Sequence, residues 1–217
     1  MIIVAKGYKY EVDNYGIITQ LDARPYPYDE NYAAIYDGEK YRADNEKLMR
    51  YRVGWMLGAH RRPVKSMLDV GYGNGAFLNQ IALDAPKIHR MGYDVTGVPL
   101  DHSHKMPDLK NADVTTFWDV IEHIPNPNFL RELRTETICI SVPYCHFHDL
   151  GPDWFENHYH HLKPNEHLRH FNPWSLVAFM NNLGWQLSAE SDHEDYVRAR
   201  PELNGLQNII AMAFKRR

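Results

Sequence analysis

The sequence LDVGYGNGAF, residues 68–77, follows a hydrophobic run and places three glycines at alternate positions. Glycine has no Cβ, so it reaches positive φ angles and lets a backbone approach a ligand closely. A loop of this kind between a strand and a helix is typical of α/β folds that bind nucleotides. The stretch therefore predicts a strand over 67–70, a ligand-binding turn, and a helix after it.

Asp69 distinguishes between two nucleotide cofactors for this loop. Gly71, Gly73 and Ala76 also satisfy the G-x-G-x-x-A pattern of dinucleotide sites. A carboxylate is unfavourable beside a pyrophosphate, which binds unopposed backbone N–H groups at a helix N-terminus. It suits a cofactor without phosphate and with a cationic head, such as S-adenosylmethionine. We therefore expect Asp69, Gly71, Gly73 and Gly75 to bind the methionine part of that cofactor.

Composition limits the classes of protein to consider. The 217 residues suit one α/β domain with an N-terminal addition. The formal net charge is −4 and no block of Lys or Arg stands out, so nucleic acid is a disfavoured partner. The two cysteines, Cys139 and Cys145, indicate a reducing compartment. The first residues lack the apolar core of a signal peptide and no apolar run reaches membrane-spanning length, so we expect a cytoplasmic protein with no membrane partner. The oligomeric state is left open.

Hydrophobic periodicity predicts a doubly wound α/β fold after an N-terminal hairpin. Strands over 2–12 and 16–21 form the hairpin, and a helix follows over about 45–58. The later elements are predicted as strands 67–70, 90–93, 114–120 and 137–142, a helix over 173–183 before Gly184, and a closing antiparallel pair over 185–191 and 206–215. We divide the chain into an N-terminal hairpin and helical extension, 1–60, that caps the substrate side, and a main domain, 61–217.

Ionisable residues follow the predicted strands at the edge of the sheet where such folds bind ligands. Asp94 lies 23 positions after Gly71, where an acid accepts hydrogen bonds from ribose hydroxyls, and Val95 lies beside it. Asp119, Glu122 and His123 follow the next strand. We therefore predict that Asp94, Val95 and Asp119 belong to the cofactor site.

The segments LDVGYGNG (68–75), DVIEHIPNP (119–127), SVPY (141–144) and HLRHFNPWSL (167–176), with Asp94, resemble those of class I S-adenosylmethionine-dependent methyltransferases. The resemblance implies a mostly parallel seven-stranded sheet with an antiparallel last strand. It also implies an acid, here Asp108 or Asp113, that binds the adenine at the end of a third strand. Only 19 residues separate Asp94 from Val114, which predicts a shortened third-strand region.

The catalytic residues are predicted to be Glu122, His123 and His170. Seven of the thirteen histidines lie in segment 146–171, which we interpret as a loop, and imidazole can act as a base near neutral pH. The set of Asp119, Glu122, His123 and His170 also resembles the divalent-metal set of small-RNA 2′-O-methyltransferases and some quinone O-methyltransferases. A metal-free site is favoured over this alternative.

The prediction is an S-adenosylmethionine-dependent methyltransferase that acts on an oxygen or nitrogen of a small polar acceptor. Two alternatives stay open at this point. One is an NAD(P)-dependent oxidoreductase that uses Gly71, Gly73 and Ala76. The other is a non-catalytic, cofactor-binding partner subunit.

Overall fold

The computed structural model describes residues 1–28, 45–96, 111–198 and 205–217. The strands in these segments are β1 (Ile2–Ala5), β2 (Tyr8–Val12), β3 (Ile18–Gln20), β4 (Ser66–Val70), β5 (His89–Tyr93), β6 (Val114–Trp118), β7 (Thr137–Pro143), β8 (Arg169–His170), β9 (Trp185–Ser191) and β10 (Ile209–Arg216). The α-helices are α1 (Asn45–His60), α2 (Ala76–Asp84), α3 (Phe147–Asn157), α4 (Pro173–Asn182) and α5 (Glu194–Arg198).

The main sheet has the strand order β5-β4-β6-β7-β10-β9. Strands β5, β4, β6 and β7 run parallel, and β10 lies antiparallel to both of its neighbours, β7 and β9. The expected doubly wound α/β fold with an antiparallel last strand is confirmed. The carboxyl ends of β4, β5 and β6 therefore meet at one edge, where the glycine loop and the acidic residues follow them.

Two hydrophobic layers cover the main sheet. Every residue of β6 and β7 is buried, as expected for central parallel strands with helices on both faces. Neighbouring residues of β6 point to opposite faces, so Phe117 packs with helix α4 while Trp118 packs with α1 and α2. Met56 of α1 is fully buried in the second layer, so this helix packs directly against the main sheet.

The N-terminal residues form a larger sheet than the predicted hairpin. The run 2–12 was expected to be one strand, but it turns at Lys6 and Gly7, whose φ angles are 47° and 81°. Two successive positive φ angles make the tight turn that joins paired strands, so β1 and β2 form a hairpin of their own. Strand β3 adds to β2, and β8, from far along the chain, pairs with β3.

The histidine-rich segment contains a helix where a loop was expected. Helix α3 spans Phe147–Asn157 and is interrupted at Gly151, whose φ and ψ are 79° and −177°, just before Pro152. These two residues are typical of a turn, which is why the sequence did not predict the helix. Phe155 on α3 packs against Tyr10 of β2, so α3 covers one face of the small sheet.

The shortened third-strand region falls in 97–110, which lies outside the described residues, and so does Asp108. Among the described helices, none combines the length and the apolar character that crossing a membrane requires.

Candidate active site

The glycine loop makes a tight turn between β4 and α2. Gly71, Gly73 and Gly75 have φ angles of 76°, 55° and 75°, in the region that favours glycine. The N–H of Gly71 donates to the carbonyl of Tyr93 at 2.7 Å, which joins the loop to the end of β5. A Cβ on Gly71 would lie 2.4 Å from Cγ2 of Val120, so this position has room for glycine alone.

Asp94, at the end of β5, is bonded to the glycine loop. Its Oδ2 accepts from the N–H of Gly73 at 2.9 Å, and its Oδ1 accepts from the N–H and hydroxyl of Thr96 at 2.9 and 2.7 Å. A carboxylate has about four acceptor sites, so it can also accept from a ribose hydroxyl. Val95 follows with an exposed side chain. The geometry thus brings two predicted cofactor residues, Gly73 and Asp94, together.

Asp69 lies inside the sheet below the loop. Only 2% of the residue is exposed, and the hydroxyl of Thr116 donates to its Oδ1 at 2.6 Å. Burial raises the pKa of the Asp69 carboxyl to about 7, against the effect of the Thr116 hydrogen bond. Contact between Asp69 and a cationic cofactor head stays a prediction.

Asp119 lies on the turn after β6 with a φ of 58°, a backbone conformation that residues other than glycine seldom adopt. Its Oδ2 accepts from Arg52 at 2.9 Å and from Arg198 at 2.7 Å. Burial acts to raise the pKa of Asp119, but the two guanidinium groups outweigh it and hold the pKa well below its usual range. Glu194, 1% exposed, accepts from the same two arginines, at 2.6 Å from Arg52.

Sequence reasoning missed this four-charge network. One signal was present, because Arg52 occupies the buried stripe of α1 between Met49 and Met56, where an apolar residue is expected. Its guanidinium also lies over the Trp118 ring, 4.8 Å from the centroid, and donates to the hydroxyl of Ser141 at 3.1 Å. Arg52 therefore links helix α1 to the ends of two central strands.

A second cluster joins Glu122, His123 and His167. Glu122 and His123 lie on the short 3-10 turn Ile121–His123, and the N–H of Leu168 donates to the carbonyl of Glu122 at 2.8 Å. This bond holds the two chain segments side by side. One ligand atom from each of the three side chains lies within 4.8 Å of the others, and the rings of the two histidines are 4.6 Å apart.

Burial controls the charge of this cluster. Burial raises the pKa of Glu122 well above its usual value, and the Asp119 carboxylate adds to the shift. Burial lowers the pKa of His123 to about 4 and that of His167 well below its ordinary range. Among the described residues, neither carboxylate oxygen of Glu122 accepts a hydrogen bond, and Nδ1 of His167 also has no partner. Burial thus disfavours the charged form of all three groups.

His170 lies behind this cluster. It is 2% exposed, and its ring packs among those of Tyr10, Phe155 and Tyr159. Burial lowers the pKa of His170 to about 3. Its ring centroid is 6.4 Å from that of His167. The structure therefore brings Glu122 and His123 together with His167, a residue outside the predicted catalytic set. The catalytic role of His170 stays a prediction.

The structure also shows the surroundings of Asp113 and of several histidines in segment 146–171. Asp113 cannot bind adenine, because it precedes β6 at the opposite edge of the sheet, where its Oδ2 accepts from the N–H groups of Lys65 and Ser66 at 2.6 and 3.0 Å. Several histidines of segment 146–171 make structural hydrogen bonds, His146 with the carbonyl of Gln207 at 2.7 Å and His161 with the side chain of Asn208 at 2.8 Å.

Known proteins resemble this chain in sequence pattern and in fold. A family profile described as "Methyltransferase domain" matches residues 41–190. No curated protein matches the chain in sequence. The fold is similar to that of magnesium protoporphyrin IX methyltransferase (ChlM) from Synechocystis PCC 6803 with bound SAH, at 14% identity and a TM-score of 0.55 over 87% of this chain and 94% of that one.

Two more solved structures share the fold. One is the plantazolicin methyltransferase BamL in complex with a triazolic desmethylPZN analog and SAH, at 11% identity and a TM-score of 0.57 over 86% of this chain and 90% of that one. The other is the methyltransferase domain of bacterial CtHen1, at 15% identity and a TM-score of 0.54 over 79% and 98%. At these identities the likeness concerns the fold.

Proposed function

The chain belongs to the methyltransferase-domain family, and on this premise we propose that it methylates an oxygen or nitrogen atom of a small polar acceptor, with S-adenosylmethionine as donor. The predicted resemblance to S-adenosylmethionine-dependent methyltransferases is confirmed. The family match favours a methyltransferase over the alternative of an oxidoreductase that binds NAD(P) through Gly71, Gly73 and Ala76. The structures of ChlM and BamL hold SAH, which is the product of methyl donation, and this supports S-adenosylmethionine as the cofactor.

The observation that carries the proposal is the bond between the glycine loop and Asp94. It places the Asp94 carboxylate beside the backbone of Gly73. Next to that backbone there is open space, since an added Cβ on Gly73 would meet no heavy atom of the described residues within 4 Å. A loop of this shape can accept the methionine part of the cofactor while Asp94 accepts hydrogen bonds from the ribose. The Asp119 turn closes the same edge of the sheet.

Methyl transfer needs the acceptor atom in line with the sulfonium and its methyl group. A bond forms between the acceptor atom and the methyl carbon, and the carbon–sulfur bond breaks with its electron pair going to sulfur. The acceptor proton must leave during or after this step. Because His123 is uncharged near neutral pH, its ring can take that proton and release it to water.

Tyr28 contacts Nδ1 of His123, so Nε2 is the ring nitrogen that faces Glu122. The Tyr28 hydroxyl lies 2.9 Å from Nδ1 of His123 and donates to the carbonyl of Glu166 at 3.4 Å. A carbonyl can only accept, so when the Tyr28 hydroxyl donates to Glu166 it accepts from a protonated Nδ1 of His123. The Nε2 atom then carries the lone pair, on the side of the Glu122 carboxyl, 3.8 Å from Oε1.

The acceptor side is proposed to be formed by segment 119–123, segment 144–170 and the N-terminal residues. Tyr28 reaches His123 from the N-terminal segment, which supports the proposed capping role of that segment. The net charge of −4 and the lack of a block of Lys or Arg in the sequence favour a small acceptor over nucleic acid.

Calorimetry tests the donor. Purified protein is titrated with S-adenosylhomocysteine and, separately, with NADH. We expect binding of the first and none of the second, and binding of NADH alone would overturn the proposal. A screen of small hydroxyl and amino compounds, with release of S-adenosylhomocysteine as the readout, then identifies the acceptor. Methylation of structured RNA with no small-molecule turnover would contradict the acceptor class.

A further inference from the structure

We infer that Glu122, His123 and His167 bind a divalent transition-metal ion at the carboxyl edge of the main sheet. The role of this ion rests on the proposed function, but its binding does not. The three side chains come from two chain segments that are joined by the bond from Leu168 N–H to the Glu122 carbonyl, so the backbone itself fixes their approach. One ligand atom of each lies within 4.8 Å of the others.

The Glu122 carboxyl is the first independent indication of a ligand. The residue is 1% exposed, and among the described residues neither of its oxygens accepts a hydrogen bond. A buried polar group without a partner costs about 1–3 kcal/mol or more, so native structures seldom leave one. A cation between Glu122 and the two imidazoles would supply the missing partner for the carboxylate. His167 presents the same pattern, since it is 5% exposed and its Nδ1 has no hydrogen-bond partner within the part of the chain that the structure describes.

The hydrogen bonds around His123 give a second indication. Nδ1 of His123 contacts the Tyr28 hydroxyl, which also reaches the Glu166 carbonyl, and Nε2 faces Glu122. A metal at Nε2 requires a protonated Nδ1, and the Tyr28 hydroxyl is placed to accept from it while donating to that carbonyl. Metal-binding histidines usually donate their other ring N–H to an oxygen in this way, which fixes the tautomer and the ring orientation. Tyr28 is therefore a positioning residue for the site.

This set differs from the one that the sequence resemblance implied. Asp119 is committed to Arg52 and Arg198, so a cation there would compete with two guanidinium groups. His170 is enclosed by aromatic rings behind His167. Glu122 and His123 remain from the expected set, and His167 takes the place of the other two residues.

The ligand types indicate the kind of ion. Two imidazoles and one carboxylate suit zinc, cobalt, iron or manganese, whereas magnesium prefers oxygen ligands alone. Three protein ligands leave at least one coordination position open. Under the proposed function, that position would take a hydroxyl oxygen of the acceptor. With Nε2 of His123 as a ligand, the ion and not the His123 ring would assist loss of the acceptor proton, because it would lower the pKa of that hydroxyl. A metal at this site would thus favour an oxygen over a nitrogen acceptor.

Binding of cobalt and zinc to the untagged, chelator-treated chain tests the inference without any methylation assay. We expect visible Co²⁺ absorption bands with one equivalent bound, displacement of Co²⁺ by Zn²⁺, and little competition from Mg²⁺. Glu122→Gln and His167→Gln should each weaken Co²⁺ binding by about 100-fold or more, since loss of an outer-shell partner alone costs about 10–100-fold. Tyr28→Phe should fall within that smaller range.

Two control variants separate this site from other histidines. His193→Gln removes an exposed imidazole, paired with Asp192, and should leave Co²⁺ affinity unchanged. His170→Gln should also leave it nearly unchanged, and a 100-fold loss there would overturn the ligand set. The melting temperature of each metal-free variant confirms folding, and its rise on adding Zn²⁺ gives a second readout. A rise equal to the wild-type value in Glu122→Gln would also overturn the inference.

Calorimetry with S-adenosylhomocysteine on the same samples separates the two proposals. Cofactor binding without metal binding would overturn the metal site and leave the proposed function standing. Metal binding without cofactor binding would overturn the proposed function and leave the metal site standing.

Discussion

The N–H of Gly73 donates a hydrogen bond of 2.9 Å to Oδ2 of Asp94, so the glycine loop and the end of β5 are held together by backbone-to-side-chain contact. The Asp94 carboxylate therefore has two tasks under the proposed function. It shapes the loop, and it binds the ribose hydroxyls of the cofactor.

Asp94→Ala should weaken binding of S-adenosylhomocysteine about ten- to a hundredfold, measured by calorimetry, because a hydrogen bond to a charged group contributes about 1.5–3 kcal/mol. Asp84→Ala is the matched control, since this exposed acid lies at the far end of α2. Equal affinity in the wild type and Asp94→Ala would place the ribose site elsewhere.

Gly71→Ala should lower the stability of the protein. The φ of 76° and the 2.4 Å approach of an added Cβ to Val120 Cγ2 both act against a side chain, and overpacking of this kind costs about 1–3 kcal/mol. Urea unfolding measures the change. In the double variant with Val120→Ala the steric part should be relieved, so the two effects should not add.

Gly73→Ala is the comparison variant for this prediction. Gly73 also has a positive φ, 55°, but an added Cβ meets no heavy atom of the described residues within 4 Å. The stability loss should therefore be smaller than in Gly71→Ala. Equal losses in the two variants would show that the φ angle, and not contact with Val120, determines the cost.

Arg52→Met should lower the free energy of unfolding by about 3–5 kcal/mol, the usual cost of removing one partner from buried ion pairs. Arg52 is 5% exposed and it donates to both Asp119 and Glu194. Arg50→Met on the same helix is the control, because its ion pair with Glu46 is exposed and contributes little. A similar, small change in both variants would contradict a stabilising role for the network.

His170→Phe should reduce the acid sensitivity of the protein. The pKa of His170 is about 3 in the folded state, through burial and then the nearby His161, and about 6.5 when unfolded. Between these values the unfolded state binds more protons, so the wild type loses stability as pH falls from about 7 toward 3. At pH 5 the loss from this residue is about 2 kcal/mol, since one pKa unit corresponds to about 1.36 kcal/mol.

The measurement is urea unfolding at pH 7.5 and at pH 5 for both proteins. The difference in unfolding free energy between the two pH values should be smaller in His170→Phe by about 2 kcal/mol. Asp69 and Glu122 have raised pKa values and act in the opposite direction, but they are present in both proteins and cancel in the comparison. His193→Gln, which changes an exposed imidazole, should keep the wild-type dependence.

Periodicity predicted the main sheet well because its central strands are buried on both faces and contain few charges. The strands over 67–70, 90–93, 114–120 and 137–142 match β4 to β7 with small differences at their ends. The small sheet was predicted less well. Its turn at Lys6 and Gly7 lies inside an apparently continuous run, and β8 has only two residues, Arg169 and His170, too few for a pattern.

The sequence could predict proximity only for residues that adjoin the glycine loop or follow a strand directly, as Gly73 and Asp94 do. The charge network was not predicted, because Arg52 and Glu194 are 142 positions apart and meet only through packing of two helices. His167 was missed for a similar reason. Its sequence neighbours include several histidines, and only the fold decides which ring approaches Glu122.

The pairing of β3 with β8 sets an order for assembly of the site. The bond between Gly73 and Asp94 closes a loop of 21 residues, whereas the contact between Tyr28 and His123 spans 95, and Ile18 pairs with His170 across most of the chain. Distant contacts form late because loop-closure entropy opposes them until the rest of the fold is in place. The cofactor loop should therefore be competent early in folding, while the cluster of Glu122, His123 and His167 matures only when the first twenty residues have docked. A chain that begins after residue 20 should keep the turn of the glycine loop and lack the assembled cluster.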